Sequence, residues 1–391
     1  MGFGMLARLA PKRERRRFLL GAAALLLTGC GGGARIGNLF SDDPGPQDQQ
    51  PGVTQPGGMV VLLLPLSASG DMRNIALAMQ KAADIAVRDS GGTLVLVTKD
   101  TGGTAAGAQA AASQAIAEGA KLLLGPLLAE EVSAVAPLAQ SAGINVIAFS
   151  SDSAVAGQGT YLMSFLPEEE ISAVVRFAAS KGYSNVGGLF PESPYGTAAE
   201  RALARALSAN GLASAGAARY ARSVDAVAGP VGSVAPGLLG GNSAILIPES
   251  GKLLDAIGLA LRQNGIDPAR VKVLGTGLWD NPMTRSSPIA LGGWYAGVDP
   301  VLVESFDQKY MGSYGTKPPR LASLSYDAVM LAASLAQTGD FSAAAITSPQ
   351  GYSSANGLFR FRADGLIERG LAILQMSPGG VDTISRGPTA F

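Results

Sequence analysis

The sequence predicts an α/β fold of two Rossmann-like lobes, each built around a parallel β-sheet. Short aliphatic runs alternate with Ala-rich segments of helical length along most of the chain. The runs are apolar at consecutive positions, which is typical of strands buried on both faces of a parallel sheet. This alternation occurs in two series along 391 residues, a length that suits two hydrophobic cores better than one.

The first series begins at Met59. Its aliphatic runs predict four strands, at residues 59–66, 93–100, 120–127 and 144–151. The Ala-rich segments between them predict three helices, at residues 73–90, 105–119 and 130–143. Because a helix that joins two strands of one sheet forms a right-handed crossover, these strands are expected to lie parallel.

The second series begins at residue 185. It predicts strands and helices in alternation, at residues 185–193, 195–211, 243–250, 252–265 and 270–277. Ahead of it, the sequence Pro-Glu-Glu-Glu at residues 167–170 predicts a helix start, because carboxylates are stabilised at the positive end of the helix dipole. We prefer this interpretation to a metal site. The expected domain boundaries place residues 59–164 and 293–348 in lobe one, and 165–292 and 349–391 in lobe two.

The N-terminal segment has the order of an export signal. Basic side chains between residues 12 and 17 precede the apolar run Phe18–Leu27. Spanning a bilayer takes roughly 20 apolar residues, so this run is too short for an anchor. Arg15–Leu20 also resembles a twin-arginine export signal, and the export route stays open.

The run ends in Leu27-Thr28-Gly29-Cys30, which contains the only cysteine of the chain. This order resembles the lipobox of bacterial lipoproteins. The resemblance implies removal of residues 1–29 as a signal peptide and lipidation of Cys30, and the neighbouring Gly31 implies sorting to the outer membrane. A buried, inert cysteine behind an ordinary signal peptide is the alternative. Residues 30–58, rich in Gly, Pro, Gln and Asp, predict a flexible tether.

Composition excludes several kinds of site. Without residues 1–29 the chain is mildly acidic, which argues against nucleic-acid binding as its main role. Histidine is absent, so His-based triads and His-ligated metal sites are excluded, and no thiol remains for a disulfide. Common acyl-transfer and P-loop signatures are also missing. We expect no enzymatic activity, no cofactor and no metal.

Five segments in order resemble the type I periplasmic-binding fold, and the resemblance extends over residues 59–391. They are residues 62–89, 122–157, 189–207, 325–337 and 357–376. Two branches of that superfamily compete. One comprises the Leu/Ile/Val-type substrate-binding proteins of ABC importers, and the other the LppC-type lipoproteins that activate penicillin-binding proteins.

In open parallel sheets, ligands bind beyond the carboxyl ends of the strands. The residues that follow the predicted strands are therefore expected around one cleft between the lobes. These residues are Ser67, Ser69, Pro126, Leu127, Ser150, Ser151, Ser153, Glu192, Tyr195, Glu249, Thr276 and Trp279. The serines also suit turns and helix caps, and that alternative stays open.

The resemblance to the importer branch implies only part of an amino-acid site. Ser151 and Ser153 occupy positions where that branch has hydrogen-bond donors. Ala129 replaces its serine, Glu249 its aromatic lid and Gly277 its ammonium-binding carboxylate. A buried charge without a partner is costly, so half of the required chemistry is missing.

The resemblance to the activator branch is closer at residues 62–70, 123–135 and 357–375. It implies a periplasm-facing lipoprotein that stimulates a peptidoglycan synthase without catalysing a reaction. The expected partner is then a penicillin-binding protein. The alternative is a receptor that delivers amino acids or related solutes to an ABC permease.

Overall fold

The computed structural model describes residues 58–391. The predicted signal peptide, Cys30 and the tether up to residue 57 lie outside the described residues. Within residues 58–391, no helix combines the length and the apolar character needed to cross a membrane.

Lobe one is built on a five-stranded parallel sheet. Its strands are β1 (Met59–Leu64), β2 (Val95–Asp100), β3 (Leu122–Leu124), β4 (Asn145–Ala148) and β5 (Thr160–Leu162). They lie in the order β2-β1-β3-β4-β5. Residues 60–64 of β1 are fully buried, as expected for a central strand covered on both faces.

Three helices connect these strands, as the sequence predicts. They are α1 (Gly70–Asp89), α2 (Ala105–Ala117) and α3 (Ala129–Ser141). The Thr104 side chain caps α2 by accepting a hydrogen bond from the Gly107 N–H at 3.1 Å. The buried faces of α1 and α2 are largely alanine, whose small side chain lets a helix lie close to the sheet.

Lobe two is built on a seven-stranded sheet. Its strands are β6 (Asn185–Pro191), β7 (Ala213–Tyr220), β8 (Ser243–Leu246), β9 (Lys272–Gly275), β10 (Trp294–Gly297), β14 (Ala372–Ser377) and β15 (Gly380–Ser385). Its helices are α4 (Pro167–Ser180), α5 (Pro194–Asn210), α6 (Ala228–Leu238), α7 (Gly251–Gln263) and the short α8 (Pro282–Arg285). The strand order is β15-β14-β10-β9-β8-β6-β7, parallel from β7 to β10 and antiparallel at β14 and β15.

The remaining elements complete lobe one. Helices α9 (Pro300–Tyr314), α10 (Ala322–Thr338) and α11 (Ala343–Ile346) precede a small antiparallel sheet of β11 (Tyr352–Ser354), β12 (Gly357–Phe361) and β13 (Ile367–Arg369). Phe359 and Phe361 of this sheet pack into the same hydrophobic core as β1.

The predicted lobe boundaries at residues 293 and 349 need correction. Trp294–Gly297 pairs with β9 and β14 in the second sheet, so the chain enters lobe one after β10 rather than before it. The small sheet packs on lobe one, so the last crossing follows β13 near residue 370 rather than residue 348. A short apolar run can serve either sheet, and only its hydrogen-bond partners decide which.

Candidate functional site

The loop after β1 is tied to the end of β2. The Ser67 N–H donates to Asp100 Oδ1 at 3.1 Å, and the Gly102 N–H donates to the same oxygen at 2.9 Å. Burial opposes ionisation of Asp100, but hydrogen bonds from Ser67 and Gly102 outweigh it and lower the pKa of this carboxyl. Ser69 precedes α1, and its exposed side chain makes no capping hydrogen bond. Ser67 is exposed as well, so both side chains reach solvent at this edge of the sheet.

The loop after β3 is fixed by hydrogen bonds to buried groups of lobe one. Pro126 and Leu127 are buried, and the Pro126 carbonyl accepts a hydrogen bond from the Phe149 N–H at 2.9 Å. Glu131 in the first turn of α3 is fully buried and accepts hydrogen bonds from the Thr101 hydroxyl and the Leu128 N–H. Burial raises the pKa of Glu131. Pro126 and Leu127 therefore lie in the interior of lobe one rather than on an open surface.

The three serines after β4 have different environments. Ser150 is buried and its hydroxyl accepts from the Asp152 N–H at 3.1 Å, which is the role of a turn former. Ser151 is exposed. The Ser153 hydroxyl donates to Glu168 Oε1 at 3.0 Å, and this bond joins lobe one to lobe two.

In lobe two, the Glu249 carboxylate is buried and fully engaged by its own chain. Oε2 accepts from the Tyr220 hydroxyl at 3.1 Å. Oε1 accepts from Arg222 Nη2 at 3.2 Å and from the Ser250 N–H at 3.0 Å. Only 3% of the Glu249 surface is exposed, so an incoming ligand would have to displace one of these donors.

Trp279 does not line the cleft. Its side chain is fully buried, its Nε1–H donates to the Glu249 carbonyl at 3.1 Å, and its ring packs near Tyr295. An ideal Cβ built at Gly275 would lie 2.2 Å from the indole, so glycine there makes room for the ring. The prediction that Trp279 is a cleft residue is therefore wrong, because the aromatic ring serves the core of lobe two.

Tyr195 in the first turn of α5 forms a pair with Thr276, which directly follows β9. The Tyr195 hydroxyl and Thr276 Oγ1 are 2.9 Å apart, and Thr276 is fully buried. Burial raises the pKa of the Tyr195 phenol, so it stays protonated. Glu192, which directly follows β6, is exposed, and its N–H donates to the Tyr220 carbonyl at 2.8 Å.

The three glutamates at residues 168–170 start α4, as the sequence predicts, but they also reach lobe one. Glu168 accepts from Ser153. The side chain of Glu169 lies half-buried near Glu368, and burial together with this charge raises its pKa to about 7. Glu170 is buried and pairs with Arg320 at 2.9 Å. The helix dipole explains why three acids occur in the first turn of α4. Their contacts with lobe one could not be predicted from the sequence.

Gly277 lies against this ion pair. Its N–H donates to Glu170 Oε2 at 2.9 Å, and the Arg320 guanidinium stacks on Phe165 at 4.0 Å from the ring centre. A Cβ at Gly277 would lie 2.4 Å from both Arg320 Nη2 and Glu170 Oε1. The space beside Gly277 is therefore filled by an internal ion pair.

The loops that follow the strands thus carry exposed hydroxyls and internally paired charges. Among residues 58–391, no group of three or more acidic, Cys or His side chains is placed to hold a metal ion. Of the twelve predicted residues, Ser67, Ser69, Ser151 and Glu192 are exposed, and Ser153 and Tyr195 are half-buried. Pro126, Leu127, Ser150, Glu249, Thr276 and Trp279 are buried.

Comparison with known proteins places this geometry in a family. The family described as periplasmic binding protein matches residues 60–381. No curated protein sequence matches the chain significantly.

Solved structures share the fold at low sequence identity. A branched-chain amino acid ABC transporter periplasmic ligand-binding protein from Burkholderia xenovorans is 17% identical, with a TM-score of 0.68 over 85% of this chain and 96% of that one. The leucine-binding protein LivK from Thermotoga maritima is 19% identical, with a TM-score of 0.59 over 85% of this chain and 99% of that one. Full-length LpoA from Haemophilus influenzae is 20% identical, with a TM-score of 0.66 over 84% of this chain and 59% of that one. The chain belongs to the periplasmic binding protein family and has its type I, two-lobed α/β fold.

Proposed function

We propose that this protein is a non-enzymatic activator of a peptidoglycan synthase of the penicillin-binding-protein class. In this proposal the lipidated Cys30 holds the two lobes at the periplasmic face of the outer membrane. The resemblance of residues 62–70, 123–135 and 357–375 to LppC-type activators supports it. The shared fold with LpoA is consistent with it.

The observation that carries the proposal is the internal pairing of the cleft charges. Glu249 is satisfied by Tyr220, Arg222 and Ser250, and the Glu170–Arg320 pair occupies the space beside Gly277. A receptor for free amino acids needs a carboxylate that is available to the ligand ammonium. Here Glu249 and Glu170 already have partners from the same chain.

Releasing either carboxylate for a ligand would be costly. A buried group that loses its hydrogen-bond partner costs about 1–3 kcal/mol, and more if it is charged. The exposed Glu192 could meet an ammonium group only in water, where an ion pair contributes about 0–1 kcal/mol. The cleft is therefore poorly suited to tight recognition of a zwitterion, which favours a protein partner over a transported amino acid.

The test is a reconstituted synthase assay. The full-length lipoprotein is added to a purified class A penicillin-binding protein from the same organism, with lipid II as substrate, and glycan polymerisation and peptide cross-linking are both followed. We expect at least one rate to rise several-fold and the two proteins to bind in solution. A Cys30→Ala variant distinguishes the role of the lipid anchor from that of the two lobes. Without the anchor, the protein should still stimulate the synthase in detergent. If no class A synthase of the organism binds the protein or changes its rates, the proposal is wrong.

The second candidate is a receptor for an ABC importer. The fold shared with branched-chain amino acid binding proteins and the exposed hydroxyl of Ser151 favour it. Calorimetry against amino acids, their amides and muropeptides tests it directly. A saturable heat that Ser151→Ala weakens would support the receptor function. Flat titrations across the panel would show that the protein does not bind these ligands.

A further inference from the structure

Three glutamates come together where the first turn of α4 lies beside β13, a contact that we call the seam. Glu168 and Glu169 belong to α4 of lobe two, and Glu368 belongs to β13 of lobe one. The last residue of β13, Arg369, donates through Nε to the Ser164 carbonyl at 3.1 Å, just ahead of α4. The seam therefore brings acidic side chains of both lobes together.

The two acids of α4 have few partners in the seam. Glu168 Oε1 accepts from the Ser153 hydroxyl at 3.0 Å, whereas Oε2 is buried without a hydrogen-bond partner among residues 58–391. The Glu169 side chain is half-buried, and within the described part of the chain it makes no hydrogen bond or ion pair. Because a buried carboxylate without partners is unfavourable in its charged form, the seam is poorly suited to several negative charges.

The cations that lobe one places near the seam already have partners. Arg360 of β12 pairs with Glu368 at 2.8 Å. Arg362, which follows β12, pairs with Asp364. Neither guanidinium forms an ion pair with Glu169, so the charge of this carboxyl is not neutralised from lobe one.

The charges that surround Glu169 oppose its ionisation. Within α4 it faces Glu168 and the exposed Arg176, and from lobe one it faces Glu368 and Arg362. Burial, followed by repulsion from the two glutamates, outweighs the attraction of the two arginines and raises the pKa of Glu169 to about 7. A proton on Glu169 therefore stabilises the close contact, and the contact weakens when that proton is lost near neutral pH.

We propose that the seam is a proton-operated latch between the two lobes. When Glu169 is neutral, the first turn of α4 stays packed against β13. When Glu169 is charged, its carboxylate moves into water and α4 separates from β13, which changes the angle between the lobes. The closed seam binds a proton that the open seam releases, so the latch holds fully below pH 4.5 and is lost as the pH rises through 7. The latch is independent of the proposed synthase partner.

The experiment measures the distance between the lobes in the full-length protein. Nitroxide labels are attached through Gln109→Cys on α2 and Ala204→Cys on α5, both at exposed positions. A Cys30→Ala background leaves only these two thiols to react. Pulsed electron paramagnetic resonance then compares samples at pH 5 and pH 8. We expect a narrow distance distribution at pH 5 and a shifted or broader one at pH 8.

Three variants of the labelled protein assign the change to the seam. Glu169→Gln keeps the shape of the side chain without its charge, and it should give the pH 5 distribution at both pH values. Glu368→Gln removes the repelling charge and should reduce the change by roughly half or more. Glu130→Gln, an exposed acid of α3, is the control and should leave the change as it is. Identical distributions at pH 5 and pH 8 before any of these substitutions would refute the latch, and so would a change that persists in Glu169→Gln. The synthase assay is a separate measurement, so either proposal can fail alone.

Discussion

At Gly277 the backbone comes so close to two charged side chains that no Cβ fits. The Arg320 and Glu170 side chains occupy the volume that any other residue would need. The resemblance to the importer branch implies only that a carboxylate is absent at this position. The structure shows that a carboxylate and a guanidinium from two other segments take its place.

Gly277→Ala tests this packing. The new methyl must displace part of the Glu170–Arg320 pair, so we expect a loss of about 1–3 kcal/mol in the free energy of unfolding, measured by denaturant titration. Gly240→Ala is the matched control, since nothing lies within 4 Å of its Cβ position. Equal stability of the two variants would contradict the close approach at Gly277.

Glu169 makes the stability depend on pH in an unusual direction. Its pKa rises from 4.5 to about 7 on folding, chiefly through burial and then through the charge of Glu368. The folded state therefore binds more protons than the unfolded state between these values, so this stabilising effect is complete below pH 4.5 and is lost as the pH rises through 7.

Glu169→Gln should remove that part of the pH dependence. As the pH rises from 5 to 8, we expect the free energy of unfolding of the variant to increase by on the order of 1 kcal/mol relative to that of the wild type. This figure is reduced because the carboxyl is only half-buried. Thermal unfolding across this range measures it. Glu130→Gln, an exposed acid in the first turn of α3, is the control and should change little between the two pH values.

Among the secondary-structure elements, β13 links two places where the chain passes between the lobes, one after Ser164 and one after β13 itself. Its last residue, Arg369, is buried, donates through Nε to the Ser164 carbonyl at 3.1 Å, and lies 3.5 Å from Asp327 of α10. Asn356 donates a further hydrogen bond to Asp327 at 2.8 Å. The passages between the lobes after Ser164 and after β13 therefore share one buried polar network. This network holds β13 on lobe one.

Arg369→Met leaves the Asp327 carboxylate buried without its cation. We expect a loss of about 3–5 kcal/mol in the free energy of unfolding, because breaking one side of a buried ion pair is strongly destabilising. Arg360→Met, which breaks the half-exposed pair with Glu368 on the same small sheet, should cost about 1 kcal/mol or less. Denaturant titrations that give similar losses for both variants would argue against the buried network.

At the scale of the whole molecule, the first turn of α4 connects the lobes through Ser153–Glu168 and Arg320–Glu170. Both bonds join lobe-one side chains to carboxylates of one helix that belongs to lobe two. We expect these contacts to restrain the angle between the lobes.

Ser153→Ala combined with Arg320→Met should loosen this connection. We expect a larger radius of gyration in small-angle X-ray scattering and faster amide exchange in the first turn of α4, with both lobes still folded. Arg219→Met removes an exposed ion pair with Glu200 inside lobe two and serves as the control. If scattering and exchange match the wild type, the α4 contacts do not set the lobe arrangement.

The sequence by itself predicted most of the strands and helices of residues 59–151 and 185–277, because a strand buried on both faces is apolar at consecutive positions. These elements are present within a few residues at each end, but β7 and α6 were not predicted. The edge strand β7 is largely exposed and α6 contains glycine and proline, so neither has a strong local pattern. The sequence also predicted which loops follow the strands, and the carboxyl ends of parallel strands lie on one side of a sheet.

Only the tertiary structure decided which sheet receives Trp294–Gly297, that Trp279 is core, and that Glu249 is already paired. The physical reason is common to all three. Strand pairing, burial and charge neutralisation are properties of neighbours in space, whereas periodicity and capping report only neighbours along the chain.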